Sequence, residues 1–127
     1  MAYTLSEKSL QRLNGVHPDL VKVVKRAIQL TPIDFRITEG LRTRERQAYL
    51  VKKGASRTIR SRHITGHAID FVALPNGAVS WDFPLYAKIA AAFKEAATEL
   101  GVPIVWGGDW RFFKDGPHIE LNRKHYP

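Results

Sequence analysis

The chain has 127 residues, of which 44% are hydrophobic and 25% charged, the length and balance of a single globular domain over residues 1–127. It has no cysteine, which excludes a disulfide framework and any thiolate metal site, so a bound metal would have to draw on His, Asp or Glu. The net charge of +8 favours polyanionic partners such as nucleic acid, anionic lipid or an acidic wall polymer, without choosing among them.

The excess charge is concentrated at residues 42–53 and 57–62, and no nucleic-acid module signature accompanies it. Residues 1–13 are polar and lack the apolar core of a signal peptide. No apolar run approaches the length of a membrane span. The expectation is a chain made and folded in a cytoplasm. A substrate beyond the membrane would then need another agent to open the way.

In chain order, a short helix is expected over Ser6–Leu13, ended by Asn14-Gly15. A stronger helix starts near Pro18, a favoured first helical residue, and runs to Leu30 before Pro32. Leu20, Val23, Val24, Ala27 and Ile28 share one of its faces. Phe35–Thr38 reads as a strand. Gly40 breaks the chain before a helix that Thr43 caps and Gly54 stops. Residues 55–62 form a basic loop, and His67–Ala73 reads as a strand bounded by Gly66 and the Pro75-Asn76-Gly77 turn. Asp82 caps a long helix with Pro84 in its first turn. Leu85, Ile89, Ala92, Phe93, Ala96 and Leu100 form its apolar face, and Gly101 ends it. Strands follow at Pro103–Trp106 and His118–Leu121. The mixture lacks regular βαβ alternation and predicts α+β, with a small antiparallel sheet backed by helices.

The chemistry-bearing segment is Ser61-Arg62-His63-Ile64-Thr65-Gly66-His67-Ala68-Ile69-Asp70. Strand alternation puts Gly66, Ala68 and Asp70 on one face and His67, Ile69 and Phe71 on the other. The small residues would leave room beside Asp70. A carboxylate between Ile69 and Phe71 requires a partner, because an unpaired buried charge is costly. The second segment is Asp115-Gly116-Pro117-His118-Ile119-Glu120-Leu121, whose strand could meet the first across the sheet. Two histidines and one carboxylate make a catalytic zinc set with an open position, and hydrolysis also asks for a carboxylate that is not a ligand. Spacing alone leaves this reading level with one in which the same residues are satisfied structural groups.

The residues themselves resemble a known family. Ser61-x-His63-x-x-Gly66-x-Ala68-x-Asp70 is similar to the zinc motif of the VanY/VanX-like D-alanyl-D-alanine carboxypeptidases, within the LAS group that also holds lysostaphin and the hedgehog signalling domain. Asp115-x-x-His118 resembles the acidic-x-x-His motif of that family, and Gly40-Leu41-Arg42-Thr43 with Gln47 its Gly-x-Arg-Ser/Thr segment. Gly108-Asp109-Trp110 and the small size resemble phage L-alanyl-D-glutamate endopeptidases in particular. The resemblance implies the LAS fold, one Zn²⁺ on His63, Asp70 and His118, and Asp115 as catalytic base. It implies Arg42 on a substrate carboxylate or the developing oxyanion, with Ser61 and Gln47 in substrate binding or behind the ligands. The implied substrate is the peptidoglycan stem peptide, cut by an endolysin held in the host cytoplasm until the membrane is permeabilised. A monomer is expected on separate grounds, since no exposed apolar stripe asks for a partner. In two places the chain departs from the pattern: the base is Asp where many relatives have Glu, and position 67 is a His that the motif does not need.

Several residues carry a second reading. His67 stands at His-x-x-x-His spacing from His63, yet a strand points it away from Asp70, which favours a structural role. His17 reads as a helix-entry residue and His125 as an exposed tail residue. Glu120 shares a strand face with His118 and is either a partner behind it or an edge carboxylate. Trp110 has a better claim to the cleft than Trp81 or Trp106, and Asp109 is expected to order its loop. Arg57, Arg60 and Arg62 could touch an anionic wall or membrane, or simply be solvated. The competing functions are a D-Ala-D-Ala carboxypeptidase, a non-catalytic zinc binding module, and a basic nucleic-acid-binding protein.

Overall fold

The computed structural model describes residues 2–56 and 61–127. Its helices are α1 (Glu7–Arg12), α2 (Pro18–Leu30), α3 (Arg44–Lys52) and α4 (Phe83–Leu100). Its strands are β1 (Phe35–Glu39), β2 (Ala68–Ala73), β3 (Ile104–Trp106) and β4 (His118–Leu121). They form one antiparallel sheet in the order β1-β2-β4-β3. This is the expected α+β class, with element ends within two residues of the sequence reading. Among the described residues, no helix is long and apolar enough to cross a membrane.

The caps explain why the helices start where they do. Ser6 and Thr43 accept the backbone N–H groups of Ser9 and Arg46, and His17 Nδ1 accepts that of Asp19. His17 is thus the helix-entry residue that its sequence position suggests. Asp82 sits at the N-cap of α4 but makes no capping bond through its side chain, and left-handed Gly101 closes that helix.

The core lies between one sheet face and the α2/α4 pair. Leu20, Val23, Val24 and Ala27 of α2 have no exposed surface and meet Ile89, Phe93 and Ala96 of α4. Ile69 and Phe71 of β2 and Ile119 and Leu121 of β4 close the layer from the sheet side. Phe35, Phe71 and Phe93 pack with ring centroids 5.1–5.7 Å apart. Arg26 ties the two helices on the outside by a bidentate pair with Glu99. The expected face of α4 is corrected at its ends. Leu100 is exposed and Leu85 half-buried, while Tyr86, Ala90 and Ala97 are buried, because the helix is covered for only part of its length.

Antiparallel pairing sets the opposite sheet face. Ile69 opposes Ile119 towards the core, so Asp70 and its partner His118 must point to the other side, as must Ala68 and Glu120. The outer edge of β1 is covered by α1, where Ser9 Oγ accepts the Ile37 N–H and Arg12 donates to the Ile37 carbonyl.

Candidate active site

One polar row crosses the sheet. Asp70 has His118 as its partner on β4 and Glu39 on β1. A bulge between Ile37 and Glu39 makes the second pairing possible. In a regular strand Glu39 would follow Ile37 towards the core. The extra residue turns it onto the face of Asp70 instead.

His63 reaches the same place from a turn rather than a strand. Residues 62–66 are turn, and β2 begins only at Ala68. The Ser61 hydroxyl accepts the His63 N–H, the His63 carbonyl accepts the Arg42 N–H, and the Gly66 carbonyl accepts the His17 N–H. Gly66 has φ +75°, and a Cβ there would press on the Gly15 carbonyl. Its small size therefore serves this close approach and not, as expected, space beside Asp70.

The three donors converge. His63 Nε2 and His118 Nδ1 each lie 3.2 Å from Asp70 Oδ1, and one ligand atom from each residue falls within 4.8 Å of the others. Two ligands of a tetrahedral zinc, each at roughly 2 Å, stand about 3.3 Å apart. The second nitrogen of each ring is already committed. His63 Nδ1 donates to the Gly40 carbonyl at 2.9 Å, and His118 Nε2 meets Glu120 Oε1 at 2.9 Å. These bonds fix the tautomers that leave Nε2 of His63 and Nδ1 of His118 free for a cation. The residues fit one divalent ion with nitrogen and oxygen ligands.

Burial alone would lower the His118 pKa, but hydrogen bonds to Asp70 and Glu120 outweigh it and raise it to about 9. Burial would raise Asp70, yet the two imidazoles hold it well below the usual carboxylate range. Glu120 is lowered against its burial by His118 and the nearby arginines. Asp115 behaves oppositely. Burial raises it, repulsion from Asp70 adds to this, and its carboxylate makes no hydrogen bond among the described residues.

Arg42 is 8% exposed and held on several sides. Its Nε donates to Glu39 at 2.7 Å, Nη1 to Gln47 at 2.7 Å, and Nη2 to Asp70 Oδ2 at 3.5 Å. Gln47 has no exposed surface and passes its amide on to Ser56 at 2.8 Å. Burial and the bond from Arg42 put Gln47 behind that arginine. Nothing in the sequence signals Glu39, since only the bulge brings it to the site.

Apart from Gln47, which lies behind them, these groups line one open cleft of about 670 Å³. Trp110 forms part of its wall, with its ring 5.1 Å from that of His118. Trp106 is buried and donates to the Gly116 carbonyl, whereas Trp81 is 67% exposed and joins neither core nor cleft. Asp109 pairs with Lys94 on the surface, as expected of a loop-ordering residue. His67 faces away, ring to ring with His17, and does not join the three. His125 is exposed. Arg62 is not a solvated wall-facing charge. It donates to the Leu121 and Tyr126 carbonyls, and its Nε lies 3.7 Å from Glu120. Arg57 and Arg60 lie outside the described residues.

Gly107 and Gly108 let the loop before β4 close on the site. A Cβ at Gly107 would collide with the Asp115 carbonyl and stand 3.1 Å from the Cβ atoms of Asp115 and His118. Gly107→Ala is expected to destabilise the protein by about 1–3 kcal/mol, read by denaturant unfolding. An unchanged midpoint would mean that the loop yields at no cost.

The fold and this site together define a hydrolase with a candidate cation centre on its sheet and a desolvated carboxylate beside it. A model of the phage L-alanyl-D-glutamate peptidase family matches residues 1–124, and the chain belongs to that family. It is 36% identical to the L-alanyl-D-glutamate peptidase of Escherichia phage T5, over 95% of this chain and 99% of that one. It is 33% identical to the peptidoglycan L-alanyl-D-glutamate endopeptidase CwlK of Bacillus subtilis, over 91% and 81%. Among solved structures it is similar to the L-Ala D-Glu endopeptidase ChiX of Serratia marcescens, with a TM-score of 0.91 and 49% identity over 95% of this chain and 91% of that one.

Proposed function

We propose that the chain is a zinc-dependent endopeptidase that cuts the L-alanyl-D-glutamate bond of peptidoglycan stem peptides. The observation that carries this is the convergence of His63, Asp70 and His118 beside Asp115, in a cleft wide enough for a peptide, in a chain of this family.

The ion held by the three residues would act as a Lewis acid on the alanyl carbonyl and acidify the attacking water. The rest of the work falls to side chains. Asp115 takes the proton of the water and passes it to the glutamate nitrogen as the C–N bond breaks. Its carboxylate accepts no hydrogen bond among the described residues, which leaves it available for both transfers. Arg42, locked by Glu39 and Gln47, offers its remaining N–H groups to the charge developing on the carbonyl oxygen. Ser61 holds the turn that presents His63, and Trp110 shapes the cleft wall.

The phage relatives support a role in lysis, with a single peptidase domain that reaches the wall after the membrane is breached. The net charge of +8 supports electrostatic retention on an anionic wall or membrane by a monomer.

The test is digestion of purified peptidoglycan by zinc-loaded protein, with and without a chelator, read by mass spectrometry. Chelator-sensitive release of stem peptides that begin at D-Glu is expected. Loss of a terminal D-Ala alone would make the enzyme a carboxypeptidase. No cleavage by verified zinc-loaded protein would turn the reading to a binding module.

A further inference from the structure

The loop that carries Asp115 carries a second chemical group at the cleft. Lys114 precedes Asp115, and both line the cavity. They are tied to neighbouring carbonyls of one glycine shelf: the Asp115 N–H donates to Gly107 at 3.0 Å and Lys114 Nζ to Gly108 at 3.2 Å. Phe113, just before them, has φ +55°, which turns the chain so that Lys114 can reach the shelf. One carbonyl uses one of the three ammonium donors, so the cation is oriented but not saturated.

The other cations of the cleft are placed differently. Arg42 is bound by Glu39, Gln47 and Asp70, and Arg62 by two carbonyls beside Glu120. Arg123 is exposed, as Lys114 is, but it lies 3.6 Å from Glu120, whereas Lys114 bonds a backbone carbonyl of the shelf. Lys114 is the cation whose sequence neighbour is the proposed base.

Substrate chemistry makes that position meaningful. A glutamate that continues a peptide through its γ-carboxyl carries its α-carboxyl free. The α-carboxyl carbon is bonded to the carbon that bears the leaving nitrogen, so it lies within a few ångströms of the atom that Asp115 must protonate. A carboxylate there meets repulsion from Asp115 unless a cation stands beside it. An ammonium point charge with spare donors meets that need.

We propose that Lys114 is a specificity-determining residue that reads the free carboxylate of the glutamate on the leaving-group side of the scissile bond. The inference rests on the endopeptidase reading and goes beyond it, since it selects stems that carry this carboxylate over stems in which it is a primary amide.

The experiment uses two stem peptides that differ only in that group, carboxylate or amide, cut by zinc-loaded wild type, Lys114→Gln, Lys114→Arg and Arg123→Gln. Wild type is expected to favour the carboxylate form roughly 10- to 100-fold in kcat/KM, the range of a charge-assisted hydrogen bond. In Lys114→Gln the ratio should fall towards one, mainly through KM. Lys114→Arg should keep most of it, and Arg123→Gln all of it. A wild-type ratio near one, a ratio kept by Lys114→Gln, or one lost only in Arg123→Gln would each overturn the proposal while leaving the endopeptidase reading intact. Failure of the wild type to cut either peptide would overturn both.

Discussion

Asp115→Asn should lower turnover of the stem peptide by about 10²–10⁴-fold while the protein keeps its zinc. The substitution preserves shape and removes only the ability to take a proton. Metal content of the purified variant, measured beside its kcat, separates this role from ligation. Loss of zinc in Asp115→Asn would move that residue into the ligand set and leave the reaction without a base. The same environment sets its titration in the ion-free protein. Burial and the charge of Asp70 both raise the Asp115 pKa above the ordinary carboxylate value. A divalent ion held by Asp70 would pull the other way. In chelated protein the Asp115 carboxyl should therefore titrate above the usual aspartate range, read by NMR, and titration at or below that range would show a solvated carboxylate.

Asp70→Ala should abolish both zinc retention and turnover. Asp70 is the hub of the row: it faces both imidazoles and Arg42, so its removal takes away one ligand and leaves three cationic or donor groups together. The chelated variant should also unfold earlier in denaturant, because breaking a largely buried ionic cluster costs more than it relieves. Glu120→Ala should give a graded result. Zinc affinity should fall about 10- to 100-fold, as for loss of a partner behind a metal-bound histidine, with activity recovered at high zinc. A competition titration with a chromophoric chelator distinguishes the two variants. Equal affinity of Glu120→Ala and wild type would make Glu120 a carboxylate of the sheet without influence on His118.

Local chemistry makes much of this molecule legible along the chain. The helical spacing of Leu20, Val23, Val24, Ala27 and Ile28 locates the buried face of α2, because a 3.6-residue period has one physical solution. The cap at Thr43 and the stop at Gly101 follow from which residues can satisfy helix ends. The residue types of the cation centre are legible too, since a chain without cysteine has few ways to bind a metal and the motifs name the residues.

Tertiary structure decides what depends on contacts between segments far apart in the chain. The bulge after Ile37 brings Glu39 into the row of Asp70, and no local rule places a bulge there. The pairing of β2 with β4 determines that Glu120 backs His118, and the return of the chain end turns Arg62 from a surface charge into a tether. Gln47 is visible as a motif residue, but only its burial shows that it holds Arg42. Lys114 gives no signal in the sequence, because its position depends on the Gly107-Gly108 shelf and a left-handed Phe113. Periodicity and capping act over a few residues and can be read along the chain. The direction of a charged side chain depends on which distant groups can accept its protons, and the packed fold alone brings those groups together.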